Sequence, residues 1–107
     1  MVVHTLTNLN QIPPNTLAVI KFQAQWCSPC IIFKPKFLDL SEQVPHVLFF
    51  DVNVEDEASQ ELNKFFDIYA MPTIAFYKNG QILTKVFGAG PQEIQQMRTA
   101  LSQFSIS

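Results

Sequence analysis

The chain has 107 residues, 48% of them apolar, a net charge of −2 and two cysteines. That length suits one domain, spanning 1–107, whose core needs no covalent staples. The weak negative charge gives no basis for binding nucleic acid or an anionic membrane, and no stretch is long enough to span a bilayer. The first residues, Met1 to Thr5, lack the basic head and apolar core of a signal peptide. Provided nothing has been removed, the expected compartment is the cytoplasm.

Val2 to Leu6 is short and β-prone, and Thr7 or Asn8 can cap a brief helix through Ile12, which Pro13-Pro14 ends. The apolar run Leu17 to Ala24 reads as a buried strand. Pro29 to about Gln43 reads as a helix, with Ile31, Ile32, Phe33, Phe37, Leu38 and Leu40 on one broad face and Pro35 kinking it. Val47 to Val54 is a second strand. Its residues alternate, Leu48, Phe50, Val52 and Val54 on one face and Phe49, Asp51 and Asn53 on the other. Glu57 to Phe66 reads as a helix whose acidic start, from Glu55, suits the macrodipole and reads as a solvated face. Thr73 to Tyr77 and Ile82 to Phe87 flank Asn79-Gly80, the signature of a β-hairpin. Pro91 opens a last helix to about Phe104. This order implies α/β, with a mixed sheet and one antiparallel edge.

Both cysteines lie in Trp26-Cys27-Ser28-Pro29-Cys30, between a predicted strand and a predicted helix. That placement is a redox pattern, because a helix N-terminus favours a thiolate and the thiolate is the reactive form of cysteine. As a staple the pair would be poor, since so short a loop constrains the unfolded chain little. Half a zinc site is the alternative, but zinc usually takes four ligands, and only His4 and His46 remain besides carboxylates.

These residues resemble the thioredoxin family. Pro35 falls five residues after the second cysteine, as does the family's helix-kinking proline. Met71-Pro72-Thr73 is similar to its cis-proline motif, Lys78-Asn79-Gly80 to its hairpin turn and Gly88-Ala89 to its last groove element. The resemblance runs nearly end to end and keeps both order and spacing. It implies a thioredoxin fold, a central mixed sheet of about five strands flanked by about four helices. It also implies a protein-disulfide reductase that closes a Cys27–Cys30 disulfide. Cys27 would be the exposed nucleophile and Cys30 the resolving thiol, while Trp26, Ser28, Pro29, Met71, Pro72, Gly88 and Ala89 would line the substrate groove. No bound cofactor or metal is expected. Disulfide-containing proteins and thioredoxin reductase are the implied partners, for a monomer in which Trp26 and Ile31 offer an apolar patch for weak pairing.

Three departures from the family carry information. Ser28 replaces a glycine and favours a helix cap, and Ile31 stands where a cation often follows the second cysteine. Lys21 occupies the buried position, six residues before Cys27, where the family usually has an Asp behind the resolving thiol. One reading is that the Lys21 stem crosses the core and its ammonium snorkels to water. The other is a charge swap with Asp51, whose position can hold a Lys in relatives. An ammonium there cannot accept the Cys30 proton, yet it favours a thiolate and so a stronger oxidant. A binding module with slow redox chemistry, or a thiol oxidase or isomerase, are the alternatives this leaves open.

Overall fold

The computed structural model describes residues 3–105. One five-stranded sheet runs in the order β1-β3-β2-β4-β5. Its strands are β1 (Val3–Thr5), β2 (Ala18–Gln23), β3 (Leu48–Asn53), β4 (Thr73–Lys78) and β5 (Gln81–Phe87). The expected start of the first strand at Val2 lies outside the described residues. Strands β1, β3 and β2 are parallel, and β4 and β5 are antiparallel to β2 and to each other. The mixed sheet with an antiparallel edge is therefore as the element order implied.

Three α-helices surround the sheet: α1 (Ser28–Gln43), α2 (Gln60–Phe65) and α3 (Pro91–Phe104). The expectation of about four helices counted the segment after Asn8, which winds only one 3₁₀ turn over Leu9–Gln11, capped by the Asn8 side chain. The predicted helix from Glu57 likewise starts as a 3₁₀ turn, Glu57–Ser59, and becomes α-helical at Gln60. Asn79 (φ 52°) and Gly80 (φ 80°) make the hairpin turn, both with the positive φ that a two-residue loop of this kind needs. Among the described residues no helix is long and apolar enough to cross a membrane.

Alternation along the strands builds two cores. Ala18, Ile20, Phe22, Phe50, Val52 and Ala75 pack under α2 with Leu62 and Phe66. Val19, Phe49, Ile74 and Phe76 face the other way, against Phe33, Phe37 and Leu40 of α1 and Met97, Ala100 and Leu101 of α3. The broad apolar face expected of α1 is narrower than its sequence suggests. Ile31 and Ile32 are 60% and 68% exposed and Leu38 is exposed too, because only the row Cys30, Phe33, Phe37, Leu40 and Ser41 turns to the sheet.

The same alternation sends Lys21 to the α1 side, in register with Asp51 of β3. Lys21 is 1% exposed, so its stem does not carry the charge out to the surface as a snorkelling chain would. The ammonium instead ends 5.1 Å from the centre of the Phe37 ring. Beside it is a cavity of about 590 Å³, lined also by Asp51, Lys34 and Pro35. Burial holds the Lys21 ammonium below the ordinary lysine value of 10.5; Asp51 opposes that shift and Lys34 adds to it.

Two predictions follow from this buried charge. With its pKa lowered in the fold, Lys21 sheds its proton before the unfolded chain does. Stability should therefore rise with pH as the ordinary value of 10.5 is approached from below. Urea unfolding of the wild type and Lys21→Met across neutral to alkaline pH should show a smaller rise in the variant. In thermal melts, Lys21→Asp should cost on the order of 3 kcal/mol by setting two carboxylates side by side. Adding Asp51→Lys should recover more than half of that loss, and strictly additive losses would exclude coupling.

Candidate active site

The loop leaving β2 delivers Cys27 to the start of α1. The Cys27 N–H donates to the Ala24 carbonyl at 3.2 Å, which closes a tight turn just before the helix. Cys27, and not Ser28, is the N-cap: its extended backbone lets its Sγ accept the Cys30 N–H at 3.3 Å. Ser28 and Pro29 occupy the first helical turn, where the missing proline N–H costs nothing. The two cysteines form a disulfide across Cα atoms 5.3 Å apart.

Cys27 is not exposed as the sequence led us to expect. It is 4% exposed and Cys30 2%, because the bonded sulfurs are enclosed with Ala24 by the flanking Val54 and Met71. The neighbours Trp26, Ser28 and Pro29 are the exposed surface instead. The Met71-Pro72 bond is cis. Pro72 is itself buried, and its carbonyl accepts the Gly88 N–H at 2.8 Å, which ties the start of β4 to the end of β5. Gly88 has φ +100°, a backbone that a side chain would strain, so its role is conformational as well as spatial. Ala89 is half-buried and packs on the core beneath α3.

Two contacts escaped the sequence reading. Trp26 is 65% exposed, yet its indole N–H donates to Glu55 Oε2 at 2.8 Å. Glu55 had read as part of a solvated acidic run, and no local signal joins residues 29 apart. Behind Cys30 lies a second cavity, of about 320 Å³, lined by Cys30, Lys34 and the neutral side chains Gln23, Gln25 and Asn53. Lys34 lines both this cavity and the one holding Lys21 and Asp51. Lys21, expected directly behind Cys30, lines only the farther one. The spacing of Cys30 and Lys34, one helical turn, was the signal available for this contact. Among the described residues no group of three or more His, Cys, Asp or Glu side chains could hold a metal ion.

A family model described as Thioredoxin matches residues 2–101. Thioredoxin H1 of Arabidopsis thaliana is 44% identical over 75% of this chain and 68% of its own length. A Brassica campestris H-type thioredoxin is 42% identical over 76% of this chain and 64% of its own length, so the chain spans about two thirds of these plant relatives. The crystal structure of Malassezia sympodialis thioredoxin superposes with a TM-score of 0.79 at 32% identity, over 92% of this chain and 89% of that one. The chain belongs to the thioredoxin family, and its Cys27–Cys30 pair makes it a thiol–disulfide oxidoreductase.

Proposed function

We propose that the protein reduces disulfide bonds of other proteins, with Cys27 as nucleophile and Cys30 as resolving thiol. The Cys27 thiolate attacks one substrate sulfur, and the other leaves as a thiol after taking a proton. Cys30 then loses its proton and attacks the Cys27 sulfur of the mixed disulfide. The second substrate thiol departs, and Cys27–Cys30 is left oxidised. Two electrons have passed to the substrate, whose two new thiols take one proton in exchange for that lost by Cys30 and one from solvent. The observation that carries this reading is the disulfide closed at the N-terminus of a 16-residue helix, with the Cys30 N–H aimed at Cys27 Sγ. The same N–H and the helix dipole would stabilise a Cys27 thiolate once the bond is reduced.

Trp26, Ser28, Pro29, Met71, Pro72, Gly88 and Ala89 frame the substrate groove in this reading. Pro72 supports it from below, since it is buried, while Trp26 offers the largest exposed apolar surface. Thioredoxin reductase is the proposed electron donor, and the cytoplasm the proposed compartment, as suits a dithiol that must be kept reduced. Residues 1–107 act as one domain, which the single sheet supports. A monomer is proposed, with Trp26 and Ile31 as the face for any weak pairing.

Lys21 favours a second, more oxidising reading, because a cation in place of an acid stabilises the dithiol form. Asp51 beside it offsets part of that effect.

Reductase-coupled insulin reduction tests the main reading. Cys27→Ser should abolish turnover, and Cys30→Ser should stall as a mixed disulfide visible by mass spectrometry. Turnover that survives Cys27→Ser would refute the assignment. In glutathione redox titration, Lys21→Asp should raise the oxidised fraction at a given poise, with an equilibrium shift on the order of threefold. An unchanged equilibrium would remove Lys21 from the redox chemistry.

A further inference from the structure

We propose that Lys34 is the cation that promotes ionisation of Cys30, and that the cavity shared by the two side chains is where the Cys30 proton leaves. The inference deepens the exchange mechanism above and rests on it. Cys30 is 2% exposed, so its proton has no direct path to bulk water. It does line the cavity of about 320 Å³, which is large enough for several waters. Besides Cys30 and Lys34, its lining is Gln23 and Asn53 from the strands, Ala24 and Gln25 from the loop after β2, and Ile31, all neutral. Lys34 is the one charged side chain lining it, and it stands one helical turn from Cys30 on the same face of α1.

The other charged groups around this space are accounted for. Lys21 on β2 and Asp51 on β3 line the farther cavity, beyond Lys34. They stand in register on neighbouring strands, so the two charges act on Cys30 in opposite directions. Glu55, two residues past Asn53, is engaged by the Trp26 indole. Among the described side chains that line this cavity, the charge acting on Cys30 is therefore the Lys34 ammonium. Ile31 leaves the position after Cys30 without a cation, and Lys34 supplies one from the next turn. An ammonium here favours the thiolate, which is the attacking form in the second exchange step.

The test uses the reduced protein and 4,4′-dithiodipyridine, a small uncharged disulfide probe. Cys27 attack releases a first thiopyridone, and Cys30 attack on the resulting mixed disulfide releases a second. Stopped-flow absorbance separates the two phases, which are followed against pH. Lys34→Met should move the midpoint of the second phase to higher pH and slow that phase about twofold at neutral pH. The fall is modest because a thiol of higher pKa is also a better nucleophile. For the same reason the alkaline plateau should be equal or higher, so the two profiles cross. Lys34→Arg should restore the wild-type midpoint, and added salt should shrink the wild-type advantage.

A second phase depressed evenly at all pH values would mean a structural role and overturn the proposal. So would a midpoint that moves with Lys21→Met and not with Lys34→Met. The exchange reading fails separately, if the first phase persists in Cys27→Ser.

Discussion

The seating of α1 on the sheet through Phe33, Phe37 and Leu40 is the constraint on which the rest depends. Phe37 meets Phe33 and Phe49 with ring centres 5.6 and 5.2 Å away, so the helix is locked in rotation as well as position. Rotation decides which residues of the first turn face inward. With Phe33 and Phe37 against the sheet, Cys30 must face inward as well, and Ser28, Pro29, Ile31 and Ile32 must face out. The disulfide therefore closes across the helix start with both sulfurs enclosed, and Cys30 on the row that faces the sheet. Redox chemistry at this site is, in structural origin, a consequence of aromatic packing several residues away.

That packing also governs the charges. Phe37 is at once the keystone of the helix contact and the ring facing the Lys21 ammonium. A lysine at an interior strand position is tolerable because three features meet there: an aromatic face, an aspartate in register on β3 and a cavity beside Pro35. Pro35, inside α1 and on the wall of that cavity, has no N–H to offer the Ile31 carbonyl, so the helix makes one backbone hydrogen bond fewer there. The chain thus carries a buried cation on β2 and a half-buried anion in register with it on β3.

Much of this was legible from local pattern. Strands Ala18–Gln23 and Leu48–Asn53 announce themselves as apolar runs, and Asn79-Gly80 as a turn. The cysteine pair is legible because strand, motif and helix are contiguous. What failed depended on three dimensions. Ile31, Ile32 and Leu38 are as apolar as Phe33 and Phe37, and only the docked helix decides which of them sees the sheet. The burial of Cys27 depends on Met71 and Val54, which are distant in sequence. Glu55 looked like any acid before a helix until its carboxylate was placed beside Trp26. The cis bond before Pro72 had no local signal at all and was readable only through the family likeness.

The sheet has two open edges, and they are guarded in different ways. At one, β1 pairs over only three residues, too few to template another strand. The other edge, β5, is seven residues long and would otherwise invite pairing with a neighbouring molecule. There Lys85 turns inward to donate to the Phe66 carbonyl at 2.7 Å, and a register irregularity interrupts the ladder between Phe76 and Tyr77. An inward charge and a break in the ladder are devices that discourage edge-to-edge aggregation. The surface around Trp26 can thereby stay uncovered while the longest strand remains inert toward other strands.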